Sequence, residues 1–279
     1  MVLKKTAFIL RSKHDDLPFL VDLTYHEDGN PKPVVIFLHG FKGFKDWGPF
    51  PLMAEHFAKE GFVFLKFNFS HNGTTVEDPL NFVDLEAFAN DTHSIQLDDL
   101  GIVLDFVQDE PGKEIDPSKI YLVGHSRGGS VALLKAAEDE RIKKVATWAA
   151  VADLTSGYSE NELSEWNKLG IRFLFNSRTK QEMYVYYQYF EDLLQHAERL
   201  DVMQAAGRIE QPLLILHGDM DETVPISQAY DIHKWAKNGP QVTLPHANHT
   251  FGGCHPWTSK VLPEDLEKAC DWTVRFLHK

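Results

Sequence analysis

Cysteine is scarce in this sequence, and long apolar runs are missing. Its 279 residues include two cysteines, Cys254 and Cys270, which are too few for a disulfide framework and favour a reducing compartment. The N-terminal apolar run at 7–10 is shorter than the roughly 7–15 residues of a signal-peptide core. No stretch approaches the roughly 18 uncharged apolar residues that a membrane-spanning helix requires. We therefore expect a soluble, cytoplasmic protein with no membrane partner.

Positive charge is also in short supply. The chain has 28 Lys and Arg against 41 Asp and Glu, which gives a formal net charge of −13. Nucleic acids and anionic membranes are bound through basic patches, so no nucleic-acid partner is expected. Hydrophobic residues make up 43% of the chain and aromatic residues 12%, and this composition excludes a disordered protein. The length is compatible with one or two domains.

Apolar runs alternate with amphipathic segments along most of the chain. This alternation predicts an α/β protein, with a mostly parallel central sheet and helices on both of its faces. One expected helix stop is the Pro-Gly pair at 111–112. The predicted strands are 19–25 (antiparallel), 34–38, 62–67, 120–123, 145–150, 213–216 and 241–244. The predicted helices are 47–59, 91–108, 226–237 and 263–277, together with a helix of small residues that follows 124–129 and ends at 135.

Residues 152–208 interrupt the alternation and are rich in aromatic side chains. We expect a hairpin at 171–175 and 183–187 and a helix at 189–199 in this segment. Aromatic clusters in an insertion commonly line apolar sites, which favours a cap over a pocket formed by a core of residues 1–151 and 209–279. The alternative is that the segment adds to the core. The exposed face of a cap could also pair two copies in a homodimer.

The sequence Gly-His-Ser-Arg-Gly at 124–128 matches the pattern G-x-S-x-G between a predicted strand and a predicted helix. In such a tight turn the serine takes up a strained backbone conformation, and its hydroxyl projects from the sheet. Side chains two positions before and after it would collide, so glycine is required at both. The pattern predicts Ser126 as a nucleophile, while the alternative is a passive serine in a glycine-rich turn.

A serine nucleophile needs a base and an acid that orients the base. In this arrangement the acid follows a later strand and the histidine follows the last one. The strand at 213–216 leads to Asp219 and Asp221, and the strand at 241–244 leads to His246 and His249. From spacing alone, either carboxylate and either histidine could serve.

The ordered motifs G-H-S-R-G-G at 124–129, H-G-x-x-D-x-x-V-P at 217–225 and A-x-H-x-F at 247–251, with H-G-F at 39–41, resemble those of the α/β-hydrolase family. The resemblance covers about residues 18–278. Within the family the chain is most similar to small-substrate carboxylesterases, of the feruloyl- or cinnamoyl-esterase-like and dienelactone-hydrolase-like kinds. It implies an α/β-hydrolase fold with an inserted cap.

The resemblance also implies the site residues. Ser126 is the expected nucleophile, Asp221 the acid and His249 the base. Two backbone N–H groups must bind the oxyanion, and the motifs place them on Phe41 and Arg127. The implied activity is hydrolysis of a small-molecule ester, with an aromatic or short acyl group, by a serine carboxylesterase.

Other functions remain open at this point. A peptidase, a thioesterase or an acyltransferase of the same fold would use the same three residues, and a non-catalytic binding protein could retain them. A dehalogenase is disfavoured because it needs Asp where Ser126 stands. The side chain of Arg127 could bind a substrate carboxylate or form a salt bridge, and residues 67–73 could line the site or form a plain loop.

No cofactor or metal is expected. The chain has neither G-x-G-x-x-G nor a P-loop, so no nucleotide cofactor is implied. His246, His249, Cys254 and His255 fall within ten residues, but their spacing matches no zinc pattern. A thiol nucleophile at Cys254 would have no assigned base.

Overall fold

A computed structural model describes residues 2–109, 112–237 and 239–279. Helices and strands alternate through most of these residues. The strands are β1 (Val2–Arg11), β2 (Pro18–Glu27), β3 (Lys32–Leu38), β4 (Val63–Phe67), β5 (Ile115–His125), β6 (Ile142–Trp148), β7 (Ile171–Asn176), β8 (Gln181–Tyr186), β9 (Leu213–Gly218) and β10 (Gln241–Leu244). The helices are α1 (Phe50–Lys59), α2 (Leu85–Asn90), α3 (His93–Asp109), α4 (Arg127–Ala136), α5 (Glu160–Leu169), α6 (Gln188–Gln195), α7 (Val202–Arg208), α8 (Ser227–Trp235) and α9 (Glu264–His278).

Eight strands form one sheet in the order β1-β2-β4-β3-β5-β6-β9-β10. β1 pairs with β2, and β2 with β4, in antiparallel fashion, whereas the remaining neighbours are parallel. Alternate residues of β3 contribute to two separate hydrophobic clusters, with Ile36 in the cluster of α3 and α4 and Phe37 in the cluster of α1 and α9. Helices therefore cover both faces, and the predicted mostly parallel sheet is confirmed.

The predicted helix at 91–108 is wrong at its start. A short helix, α2, comes first, and the backbone of Asp91 is extended (φ −62°, ψ 127°). Thr92 then caps α3, where its Oγ1 accepts a hydrogen bond from the amide of Ile95 at 3.3 Å. The expected helix stop at Pro111 lies outside the described residues.

Strand β1 and helices α5 and α7 were not predicted. β1 is an edge strand with little burial along its length, so its sequence has no clear alternation of apolar and polar residues. α5 is mostly polar, and Trp166 is its one buried residue. Its N-terminus nevertheless has a capping box, in which Ser159 and Glu162 exchange hydrogen bonds, and this is a readable sequence signal.

Residues 152–208 contain a separate two-stranded sheet of β7 and β8, as the sequence predicted. Its inner face is buried through Met183 and Val185, whereas Phe173 and Phe175 on the outer face are exposed. The indole N–H of Trp166 donates to the carbonyl of Val185 at 3.0 Å, which joins α5 to the hairpin. The segment packs against α2 and α3 and supplies no strand to the central sheet.

Four charged residues fix the loop that follows β3. Lys45 and Asp46 belong to this loop, Asp22 to β2 and Lys66 to β4. Lys45 Nζ and Lys66 Nζ lie 2.5 and 2.7 Å from Asp22 Oδ2, and both also pair with Asp46. The two lysine side chains are 5% and 6% exposed. Each buried cation therefore has two carboxylate partners, and the loop is bound to strands β2 and β4.

We expect the substitution Asp46→Asn to lower the free energy of unfolding by about 3 kcal/mol, because the two buried lysines would then share the single carboxylate of Asp22 and one buried positive charge would be uncompensated. Chemical denaturation measures this loss. Asp16→Asn is the matched control, since the Arg11–Asp16 pair at 3.0 Å is largely exposed and should contribute about 1 kcal/mol or less. Equal losses in the two variants would contradict a role for the buried cluster.

Candidate active site

Ser126 lies in the turn between β5 and α4 with φ 57° and ψ −125°. Positive φ is uncommon for a residue with a side chain and costs conformational energy. Two hydrogen bonds fix this geometry: the Ser126 amide donates to the Trp148 carbonyl at 2.8 Å, and the Ser126 carbonyl accepts from the Gly129 amide at 2.9 Å. The strained turn that the motif predicted is present.

Close backbone packing explains the glycines around Ser126. A Cβ atom on Gly124 would collide with the carbonyl of Gly128, and one on Gly128 would collide with the carbonyl of Leu38. A Cβ atom on Gly40 would lie 2.8 Å from Cβ of Ser126. The loop after β3 therefore approaches the serine to a distance that only glycine permits.

Asp221 and His249 come from the loops that follow β9 and β10, and they meet beside this turn. His249 Nδ1 donates to Asp221 Oδ2 at 2.8 Å, while Asp221 Oδ1 accepts from the amides of Thr223 and Val224, both at 2.8 Å. Burial of Asp221 opposes ionisation, but hydrogen bonds from His217, His249 and Val224 hold its pKa well below the usual range. In the neutral imidazole the proton therefore lies on Nδ1, and Nε2 is the acceptor on the side away from Asp221.

The two alternative residues lie elsewhere. Asp219 accepts a hydrogen bond from the backbone amide of His246 at 2.6 Å, and both side chains are exposed. Neither is among the residues that line the cavity next to Ser126. The structure thus brings Ser126, Asp221 and His249 together and leaves Asp219 as a loop-capping carboxylate.

Two histidines that the sequence analysis did not assign support this arrangement. His125 Nε2 donates to the carbonyl of His249 at 2.8 Å, and burial lowers the pKa of His125 to about 3. His217 Nε2 donates to the carbonyl of Val224 at 2.9 Å and lies 3.2 Å from Asp221 Oδ2. Both histidines stand inside the matched motifs, which was the available signal.

The two predicted oxyanion donors flank Ser126. Arg127 is the first residue of α4, so its amide has no acceptor within the helix and lies at the positive end of the helix dipole. Phe41 follows Gly40 in the loop after β3, and it lines the same cavity as Ser126. The amide of Phe41 donates to none of the described residues.

The Arg127 side chain is packed inside the protein and does not line the cavity. Its guanidinium carbon lies 4.0 Å from the ring centre of Phe41 and 5.0 Å from that of Tyr189, and Nη1 is 3.2 Å from Asp91 Oδ2. Phe41 in turn stacks on Phe88 at 5.3 Å. The salt-bridged alternative for Arg127 is thus the one observed, and the side chains of both predicted oxyanion residues pack on each other.

The cavity beside Ser126 has a volume of about 450 Å³. Residues 67–73 do not line it. Instead they support the loop after β3, where Asn68 Oδ1 accepts from the Lys45 amide at 2.7 Å and Asn72 Nδ2 donates to the Gly43 carbonyl at 3.2 Å. The lining residues are Gly40, Phe41, Lys42, Gly43, Trp47, Phe50, His125, Ser126, Asn176, Ser177, Arg178, His249, Thr250, Gly253, Cys254 and His255.

Within the described ranges, no group of three or more His, Cys, Asp or Glu side chains is arranged to hold a metal ion. No helix there is long and apolar enough to cross a membrane. Cys254 is an exposed free thiol and Cys270 a buried one.

The strand order and the tight serine turn beside an Asp–His pair define the α/β-hydrolase fold. The chain belongs to the prolyl oligopeptidase family, whose sequence profile matches residues 53–277. The predicted resemblance to α/β-hydrolases is therefore confirmed.

Three similar proteins illustrate the relationship. YuxL of Bacillus subtilis strain 168, described as an uncharacterized peptidase, is 27% identical to this chain over 141 residues. The match covers 49% of this chain but only 19% of YuxL, so this chain spans about a fifth of the length of that relative. An uncharacterized 31.7 kDa Escherichia coli protein from the traX-finO intergenic region is 23% identical over 82% of this chain and 85% of its own. The structure of Est1E from Butyrivibrio proteoclasticus superimposes with a TM-score of 0.67 at 18% identity, covering 97% of this chain and 99% of Est1E.

The buried carboxyl group of Asp91 makes the stability of the fold depend on pH. Burial raises the pKa of Asp91 to about 7, although Arg127 acts in the opposite direction. An unfolded aspartate titrates near pH 4, so between about pH 4 and 7 the folded chain binds the additional proton. The contribution of Asp91 to the free energy of unfolding is thus fully present below about pH 4 and is lost as the pH rises through about 7.

We therefore expect the stability of the wild type relative to Asp91→Asn to fall from pH 5 to pH 7, by at most about 1.4 kcal/mol per pH unit. Urea unfolding of both proteins at pH 5, 6 and 7 measures the difference. Asp109→Asn, at an exposed carboxylate, is the control and should show little trend. If the stability of the wild type relative to Asp91→Asn stays constant or rises with pH, the raised pKa of Asp91 is contradicted.

Proposed function

We propose that this chain is a serine carboxylesterase that hydrolyses a small-molecule ester through an acyl-enzyme intermediate. The observation that carries the proposal is the strained Ser126 turn, which shares one cavity with a His249 imidazole hydrogen-bonded to Asp221 at 2.8 Å. In this proposal, residues 1–151 and 209–279 form the catalytic core and 152–208 form a cap. The cap contributes Asn176, Ser177 and Arg178 to the cavity wall.

In the acylation half-reaction, His249 Nε2 accepts the Ser126 hydroxyl proton while Oγ forms a bond to the ester carbonyl carbon. Asp221 holds the tautomer with the proton on Nδ1 and stabilises the imidazolium. The amides of Phe41 and Arg127 donate to the oxyanion, where preorganised donors are most effective. The carbon–oxygen bond to the alcohol then breaks, and the alcohol leaves with the proton from His249.

In the second half-reaction, a water molecule attacks the acyl-enzyme. His249 accepts a proton from this water and returns it to Ser126 Oγ as the acyl–serine bond breaks. The carboxylic acid is released, and the free enzyme is regenerated. Because the donors to the oxyanion are backbone amides, neither half-reaction requires a cofactor.

The cavity supports a small substrate with an apolar portion. A volume of about 450 Å³ falls within the usual range for small-molecule pockets, which is roughly 300–1,000 Å³. Phe41, Trp47 and Phe50 form apolar walls that suit an aromatic or short aliphatic acyl group. A structure of Est1E with ferulic acid bound is known, and this fits an aromatic acyl group.

Membership in the prolyl oligopeptidase family favours a second candidate, a peptidase that uses the same residues. Esters and amides with the same acyl group distinguish the two activities. A carboxylesterase should cleave the ester of each pair far faster and leave short peptides intact. Efficient turnover of unactivated peptide bonds would favour the peptidase.

We expect Ser126→Ala to abolish hydrolysis of a short p-nitrophenyl ester, because the acyl-enzyme cannot form. Initial rates measured by absorbance of the released p-nitrophenolate test this. Ser118→Ala, at an exposed position remote from the cavity, is the control and should retain the parental rate. Activity of Ser126→Ala within tenfold of the parent would overturn the proposal.

We expect Asp221→Asn to lower kcat by about 10³–10⁴-fold, because an amide favours the wrong histidine tautomer. Asp219→Asn is the matched variant two residues away and should lose far less activity, since Asp219 contacts a backbone amide. Equal losses, or a greater loss in Asp219→Asn, would refute the assignment of the acid.

A further inference from the structure

The charge of the active-site cavity is opposite to that of the protein. The chain carries a net charge of −13, yet no Asp or Glu of the part that the structure describes lines the cavity. Two cations, Lys42 and Arg178, line it instead. Lys42 comes from the loop after β3, and Arg178 from the turn between β7 and β8. The core and the insertion thus each contribute a positive charge to the same wall.

The contacts of Arg178 fix its guanidinium in place. Nη2 donates to the carbonyl of Lys42 at 3.0 Å. The guanidinium carbon lies 5.6, 5.9 and 5.7 Å from the ring centres of Phe44, Trp47 and Phe82, and Nε is buried with no hydrogen-bond partner among the described residues. The aromatic rings therefore orient the group without neutralising its charge.

Arg178 differs in this respect from the other partly buried arginines. Each of those forms at least one ion pair with an aspartate or glutamate, whereas Arg178 forms none with the carboxylates that the structure describes. The paired arginines are Arg127, Arg141, Arg172 and Arg199.

Lys42 has no carboxylate partner among the described residues either. Burial lowers its pKa, and the positive charges of Arg178 and Arg127 lower it further. Burial likewise lowers the pKa of Arg178. Two partly desolvated cations near each other repel, and no carboxylate of the described residues offsets this cost.

His255 adds a neutral donor to the same wall. Its Nδ1 accepts a hydrogen bond from the Gly48 amide at 2.9 Å, so the ring proton is on Nε2. Burial and the nearby Arg178 lower the pKa of His255, which keeps the ring neutral. This wall thus combines positive charge with hydrogen-bond donors, the chemistry that recognises an anion.

We propose that Lys42 and Arg178 form a subsite that binds a free carboxylate on the substrate, so that the preferred ester is the monoester of a dicarboxylic acid. This inference rests on the proposed esterase function and names its substrate class. The planar guanidinium fork matches a carboxylate, and a bound anion supplies the missing counter-charge. The apolar wall formed by Trp47 and Phe50 contacts the chain between the two carbonyl groups.

The kinetic test uses monomethyl glutarate, adipate and suberate, each compared with its neutral methyl ester amide of equal length. We expect the wild type to prefer at least one charged ester over its isostere by tenfold or more in kcat/KM, measured by pH-stat titration. Arg178→Gln and Lys42→Gln should each reduce this preference at least tenfold, mainly through KM. Arg172→Gln, which alters a paired arginine on the same hairpin, should keep the preference within twofold.

A binding test separates the subsite from the chemistry and is independent of turnover. In the Ser126→Ala background, calorimetry measures the binding of adipate and of its neutral analogue adipamide. We expect Arg178→Gln and Lys42→Gln each to weaken the binding of adipate at least tenfold. Arg178→Gln removes the hydrogen bond to the Lys42 carbonyl and could disturb the hairpin. Lys42→Gln keeps that backbone carbonyl, so it tests the subsite without this loss.

Hydrolysis of neutral and charged esters at equal rates would overturn the subsite and leave the esterase standing. Adipate binding that depends on Arg178, in a wild type that cleaves no ester, would support the subsite and refute the esterase. Equal binding of adipate by Ser126→Ala with and without the second substitution would also overturn the subsite.

Discussion

The site depends on one constraint: the turn between β5 and α4 packs directly against the loop after β3. Glycines at 40, 124 and 128 allow backbones to approach where any Cβ would collide. The resulting positive φ of Ser126 costs energy, which the hydrogen bonds to Trp148 and Gly129 offset. Because the same contact places Gly40 against Ser126, and Phe41 follows Gly40, the positions of the proposed nucleophile and the proposed oxyanion donor are set together.

Charge is distributed around this turn in two distinct ways. Beneath the loop after β3, the lysines of β4 and the loop each have two carboxylate partners, and beside Ser126 the guanidinium of Arg127 is paired with Asp91. At the cavity wall, Lys42 and Arg178 have no such partner among the described residues. The charges beneath the loop and beside Ser126 are thus paired within the chain, whereas Lys42 and Arg178 line the cavity in which we propose that a substrate binds.

Much of this arrangement was readable in the sequence, because the buried strands and the motifs at their ends are local patterns. The carboxyl ends of parallel strands meet at one edge of a sheet, so the placement of Ser126, Asp221 and His249 near each other followed from strand order. Edge strand β1 and the break at Asp91 lacked such a pattern. Arg178 could not be assigned, because its aromatic neighbours Phe44 and Phe82 are distant in sequence and meet it only after folding.

The central claim is that Ser126 is a nucleophile activated by His249. Its most direct measurement is intact-mass and peptide mass spectrometry after treatment with a fluorophosphonate, which modifies activated serines. We expect one adduct per chain, located on Ser126 and absent from the Ser126→Ala variant. A folded wild-type protein that stays unmodified, or an adduct that persists at another residue in Ser126→Ala, would contradict it.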